Sequence, residues 1–328
     1  MVWFWVALLA IGILLYVLLD GFDLGVGMLF GVAHGEPRRR AMMSAVAPIW
    51  DGNETWLVVS GVILWAAFPL VYSIVLSALY LPVLLMLAGL ILRGVAFEYR
   101  HQTAQTRGIW DASFAGGSLV AAFMQGLMVG ALVEGLPVAD GRYAGSVVGW
   151  LTPFAVLCGL GLCVGYALLG ACWLVRKCEA DVRDEAYRLI PYLSLALLVF
   201  LIVVFAYALA ENLPVLSRWI ERPYLFVFPV IGALAAIVLA LSVQRRQDGL
   251  PFVMVTLIFL AAFCTLAISF WPYMIPFAVT IEQAAAPHAS LAFMFWFAGI
   301  IVFPLMLIYT AISLAVFRGK VDGTATHY

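Results

Sequence analysis

Residues 47–69 read Ala-Pro-Ile-Trp-Asp-Gly-Asn-Glu-Thr-Trp-Leu-Val-Val-Ser-Gly-Val-Ile-Leu-Trp-Ala-Ala-Phe-Pro. A helix crossing the hydrocarbon core of a bilayer needs about 20 mostly apolar residues, and this run is that long. Its first turn nevertheless holds Asp51, Asn53 and Glu54, with Trp50 and Trp56 beside them. A charged side chain at the centre of a bilayer costs about 2.5–3.5 kcal/mol on insertion scales. Two carboxylates and an amide kept together at the edge of such a run have two readings. Acids in a first turn complement the helix dipole, and Pro48 suits a helix start, so the group is a cap. Alternatively it is a working site facing protein or water.

Composition makes the membrane reading general. Of 328 residues, 66% are apolar and 11% are charged, against about 45–50% and about 25% in soluble domains. The net charge of −1 gives no footprint for nucleic acid. Met1–Trp5 has no basic residues and no Ala-x-Ala site follows, so the first apolar run is expected to stay as a helix rather than be cleaved. Cys158, Cys163, Cys172, Cys178 and Cys264 form no Cys-x-x-Cys pair and read as small core residues, not as metal ligands or disulfides.

Nine runs reach spanning length, at about 3–31, 47–69, 72–97, 112–133, 147–174, 189–210, 223–243, 251–273 and 291–316. They predict an all-α, polytopic membrane protein with nine transmembrane helices in a single integral membrane domain, 1–328. Alternate loops and the C-terminal tail hold Arg38, Arg39, Arg40, Arg100, Arg107, Arg176, Lys177, Arg183, Arg188, Arg245, Arg246, Arg318 and Lys320. The other loops hold Arg142, Arg218 and Arg222, a ratio of 13 to 3, and Arg93 lies within a run. The positive-inside rule then puts the N-terminus outside and the C-terminus in the cytoplasm. The mixed charges of 176–188 predict a helix extension above the membrane, and 323–328 a frayed tail.

Three polar clusters are candidates for chemistry. Asp20-Gly-Phe-Asp23-Leu-Gly-Val-Gly27 places two acids three residues apart near one helix face, among glycines that let backbones approach. The second cluster is Trp50–Trp56. The third is Arg93 in Arg-Gly-Val-Ala-Phe-Glu-Tyr-Arg, residues 93–100, with Glu98 and Arg100 nearer the loop. Arg93 either snorkels to the surface or pairs with a carboxylate. The first and third runs end, and the second begins, on the same cytoplasmic side. Asp23, Asp51, Glu54 and Arg93 are therefore expected to meet in one polar nest.

His34, His101, His288 and His327 all fall outside span interiors, so no mid-span histidine is available as a haem ligand. No phosphate-binding glycine loop, His-Glu-x-x-His or nucleophile triad is present. The aromatic-rich runs 270–273 and 293–297 suit packing or contact with lipid and isoprenoid chains.

Asp-Gly-Phe-Asp-Leu-Gly-Val-Gly at 20–27, Pro-Ile-Trp-Asp-Gly-Asn-Glu-Thr-Trp-Leu at 48–57 and Arg-Gly-Val-Ala-Phe-Glu-Tyr-Arg at 93–100 closely resemble subunit II of the cytochrome bd-type quinol oxidases. Weaker likeness continues through Trp271-Pro272-Tyr273 and residues 304–320, so it covers the whole chain, most strongly 16–100. The short chain, with a brief loop at 211–222, resembles the compact, cyanide-insensitive type. The resemblance implies a heterodimer in the bacterial cytoplasmic membrane that oxidises ubiquinol or menaquinol and reduces O₂ to water. Haems b558, b595 and d and the quinol site belong to subunit I. Small single-helix accessory subunits, and a structural quinone on subunit II, belong to some members. The resemblance links the positions of Asp23, Asp51 and Arg93 to integrity of the haem site. It also links Asp51 to proton uptake from the cytoplasm.

Three functions fit these residues. In the first, Asp51 and Glu54 relay protons, while Asp20, Asp23, Trp50, Asn53, Arg93, Glu98 and Arg100 form the surrounding nest and Asp23 pairs with Arg93. In the second, the acids only stabilise the assembly. In the third, they couple a proton to a transported solute; the missing repeat and the one-sided placement of the acids weigh against this.

Overall fold

In the computed structural model, residues 1–100, 102, 105–211, 219 and 222–321 are described. The 211–222 loop lies mostly outside them, as do the 323–328 tail, His101 and His327. The chain opens with α1 (Val2–Val32), then the short α2 (Glu36–Ser44). Next come α3 (Trp50–Ala67), α4 (Pro69–Tyr99) and α5 (Arg107–Glu134). A hairpin, β1 (Val138–Ala139) with β2 (Arg142–Tyr143), leads to α6 (Pro153–Lys177) and α7 (Ala180–Ala210). A 3₁₀ turn, Pro223–Phe226, opens α8 (Val227–Gln244), followed by α9 (Leu250–Phe270). After the paired strands β3 (Tyr273–Ile275) and β4 (Val279–Thr280) come α10 (Ile281–Ala284) and α11 (His288–Met294). A π-turn at Phe295–Gly299 then joins α12 (Val302–Val316).

Eight helical stretches among the described residues are long and apolar enough to cross a membrane. They correspond to eight of the nine predicted runs. The remaining run is α3, whose 18 residues extend about 27 Å at 1.5 Å per residue and begin with the polar turn.

Several ends move for local reasons. The fifth run starts at Pro153 rather than 147, because Thr152 caps the helix by accepting the Ala155 N–H at 3.0 Å. The sixth starts at Ala180, nine residues before 189, since Asp181, Arg183, Asp184 and Glu185 carry the helix beyond the apolar segment. Residues 291–316 are broken by the π-turn instead of forming one continuous α-helix. Inside α4, Leu79 leaves helical geometry (φ −117°) three residues before Pro82, whose ring cannot fit against the preceding turn.

The core is built around α1, which packs on α3, α5 and α6. A Cβ on Gly25 would sit 1.8 Å from the Tyr166 carbonyl oxygen, and one on Gly170 would sit 2.5 Å from the Gly25 carbonyl carbon. Only paired glycines permit that crossing of α1 and α6. In lipid, where apolar burial does not separate helix from tail, such close approach supplies the packing attraction. By contrast, α12 has no buried residue and α7 only five.

Candidate functional site

The polar residues of α1, α3 and α4 meet in the half of the bundle that carries α2. The Cα–Cβ bonds of α4 lean toward its N-terminus, so Arg93 is aimed into the bundle and does not snorkel toward the 100–106 loop. It is 0% exposed. One terminal nitrogen lies 2.7 Å from Asp20 Oδ1 and the other 2.9 Å from Glu54 Oε2. The guanidinium also sits 5.9 Å from the centre of the Trp50 ring, which stacks on Phe97 at 5.0 Å. Asn53 Nδ2 donates to Asp23 Oδ2 at 2.7 Å. Asp20, Asp23 and Asn53 are all buried, whereas 29% of the Glu54 side chain remains exposed.

This arrangement corrects four expectations. Arg93 pairs with Asp20 and Glu54, while Asp23 is held by Asn53. Asp51 is exposed one turn before Glu54 and lies outside the buried nest. Glu98 is exposed too, because it follows buried Phe97 and faces away from the bundle. Arg100 is buried but belongs to a separate cluster: it grips both Glu36 oxygens at 3.1 and 2.8 Å and reaches Asp111 at 2.5 Å. Arg39 donates to the same Asp111 at 2.7 Å. Burial alone would raise the Glu36 carboxyl, but hydrogen bonds from Arg100 and Arg40 outweigh it and hold the group at about 2. This second cluster pins α2 to the ends of α4 and α5.

A third polar group lies outside the three sequence clusters. Tyr166 OH donates to Gln125 Oε1 at 2.9 Å, and Gln125 Nε2 donates to Tyr16 OH at 2.6 Å. All three are buried, and Tyr16 stands one helical turn before Asp20. The readable signal was Gln125 itself, an amide inside the apolar run 112–133. Glu36 and Asp111 gave no such signal, since acids beside loop arginines are ordinary. Trp56 is fully buried; its indole N–H reaches Thr310 Oγ1 at 3.2 Å and its ring meets Phe303 edge-on, tying α3 to α12.

The donor set does not suit a haem or metal. Among the described residues, no three of His, Cys, Asp or Glu gather as metal ligands would. His34 follows the end of α1 and His288 is the first residue of α11. What the nest can do is hold charge and protons: a buried ion pair, a second buried carboxyl on a neutral amide, and a half-exposed carboxylate leading to the surface.

The chain can be placed among known proteins. The family model described as cytochrome bd terminal oxidase subunit II matches residues 1–317. A probable cytochrome oxidase subunit 2 of Haemophilus influenzae is 28% identical over 98% of this chain and 94% of that protein. The cytochrome bd-I ubiquinol oxidase subunit 2 of Escherichia coli strain K12 is 28% identical over 94% of this chain and 91% of that protein. The cytochrome bd ubiquinol oxidase subunit 2 of Bacillus subtilis is 26% identical over 76% and 74%. In the solved bd oxidase of Geobacillus thermodenitrificans, one chain superposes with a TM-score of 0.80 over 95% of this chain and 96% of that one, at 16% identity, a likeness of fold. With the family model covering all but the last residues, this chain belongs to the cytochrome bd terminal oxidase subunit II family.

Proposed function

We propose that this chain is the haem-free second subunit of a quinol:O₂ oxidoreductase, and that Asp51 and Glu54 form the cytoplasmic entrance through which protons approach the partner. The complexes of this family oxidise quinol and reduce O₂ to water in the bacterial cytoplasmic membrane. In this reading subunit I carries the haems and the quinol site. The present chain spans the membrane nine times, with α3 as the ninth span, its N-terminus outside and its C-terminus in the cytoplasm. The 13-to-3 bias of Lys and Arg supports that orientation.

One observation carries the proton reading. Asp51 is exposed, Glu54 lies one turn further along the same helix, and Glu54 alone in the nest joins exposed surface to buried charge. Carboxylates in such a gradient can accept a proton at the surface and release it inward. The Arg93 guanidinium between Glu54 and Asp20 is a fixed positive charge, which opposes a proton moving past it to Asp20 and leaves the Asn53 side of the nest, toward Asp23, as the inward direction.

The same ion pair favours a second reading, in which the acids only brace the bundle. Substitution of Asp51 by Asn in the assembled complex separates the two. With haem content unchanged, the relay reading expects quinol oxidation to fall by about tenfold or more, since a positioned proton-transfer group contributes about 10²–10⁴. An unchanged rate would defeat it.

A further inference from the structure

The nest of α1, α3 and α4 holds more acid than base. Asp20, Asp23 and Glu54 bring three carboxyl groups to one guanidinium, Arg93. Arg93 spends its two terminal nitrogens on Asp20 at 2.7 Å and Glu54 at 2.9 Å. Glu54 keeps contact with the surface, and water can solvate it there. Asp20 has the direct ion pair, and Tyr16 faces it from one turn away. Because the Tyr16 oxygen already accepts the Gln125 N–H at 2.6 Å, its own O–H is left to point elsewhere.

Asp23 has none of this. It is 2% exposed, Oδ2 accepts from a neutral amide, and Oδ1, like both Asp20 oxygens, is buried without a hydrogen-bond partner among the described residues; unlike Asp20, it has no ion pair among them. The charged groups acting on it are Asp20 on its own helix, Glu54 on α3 and Arg93 on α4, two acids and one base already engaged. A buried carboxylate with no counter-charge of its own neutralises rather than remain ionised. A metal cation and a proton are the two candidates for that neutralisation. A metal needs several converging ligands, and among the described residues no three acids, histidines or cysteines supply them.

We propose that Asp23 carries a resident proton, and that this proton is the internal store of the route entering at Asp51 and Glu54. The storage role rests on the proposed relay; the resident proton stands on the charge balance and on the lack of an ion pair at a buried carboxyl. Loading the store adds a proton to the Asp23 carboxylate, and discharging it returns that proton toward Glu54. No covalent bond other than O–H is made or broken.

Infrared spectroscopy of the purified complex, in H₂O and in D₂O, tests this. A protonated carboxyl shows a carbonyl stretch that shifts on deuteration, whereas a carboxylate does not show that band. The difference between wild type and Asp23→Asn is expected to contain one deuterium-sensitive carboxylic acid band, and Glu54→Gln is expected to keep that band. Asn copies the size and neutrality of a protonated Asp, so the Asp23→Asn complex is expected to assemble with its thermal midpoint unchanged near neutral pH. A difference spectrum showing carboxylate bands instead, or an Asp23→Asn complex that does not assemble, overturns the proposal. A full oxidation rate in Asp51→Asn would remove the route and leave this band in place, so the two ideas fail separately.

Discussion

Replacing Arg93 by Met tests how the nest is held. The substitution keeps an unbranched side chain of similar reach and removes the charge, leaving Asp20 buried with its 2.7 Å partner gone. Removing one member of a buried ion pair costs about 3–5 kcal/mol, and a lone charge in a membrane helix costs about 2.5–3.5 kcal/mol on insertion scales. Glu54 adds little to the loss, because 29% of its side chain already reaches the surface and can rehydrate. The two routes converge on about 3 kcal/mol, or about a hundredfold in the folded-to-unfolded ratio at about 1.4 kcal/mol per factor of ten. Asp20→Leu alone leaves Arg93 with Glu54 at 2.9 Å and is expected to cost less. The double substitution Asp20→Leu with Arg93→Met removes both charges. Apolar replacement of a whole buried pair is often neutral or stabilising, so much of the single-variant loss should return. The assay is the thermal midpoint of the detergent-solubilised complex, with the amount of assembled protein in membranes. If the losses of the two single variants simply add in the double, the account of an uncompensated charge is wrong.

The Glu36–Arg100 cluster predicts acid sensitivity of α2 in particular. Because the folded carboxyl is held near 2, below its ordinary 4.5, its stabilising effect is complete above about 4.5 and fades as pH falls toward about 2. Protection of the α2 amides, taken relative to their intrinsic exchange at each pH, should fall across that window, and Arg100→Gln should flatten the response; protection that ignores pH would refute the pinning role. At the crossing of α1 and α6, Gly25→Ala meets the Tyr166 carbonyl at 1.8 Å. Both backbones must move, so a loss at or above the upper end of the about 1–3 kcal/mol of ordinary overpacking is expected in the thermal midpoint. Gly116→Ala in α5 meets nothing within 4 Å and should gain about 0.5–1 kcal/mol from the helix interior. Equal effects at the two sites would contradict the packing argument.

The spans were legible because apolar length is a property of the sequence alone. The partners in the nest were not, because they depend on how each helix is rotated. Asp20 and Asp23 are three residues apart, about 60° around a helix with 3.6 residues per turn, close enough to look interchangeable. The rotation of α1 is fixed by Gly21 and Gly25, whose missing side chains make room for Tyr166 of α6. On the helical wheel Asp23 falls about opposite that glycine face and Asp20 about 120° from it. With α6 seated on the glycines, Asp23 therefore reaches Asn53 of α3 and Asp20 reaches Arg93 of α4. The glycines and the acids were both visible in residues 20–27, but the identity of the helix that fills the glycine notch was not. Asp51 and Glu54 repeat the lesson in α3. Their spacing places them near one face, yet at the edge of the bundle the same offset leaves Asp51 exposed and turns Glu54 toward Arg93. Rotation thus converts two pairs of acids with equal spacing into four distinct environments, from open surface to a fully buried ion pair. The graded burial of Asp51, Glu54 and Asp23, and not their number, is what suits this corner of the chain to taking up and holding a proton.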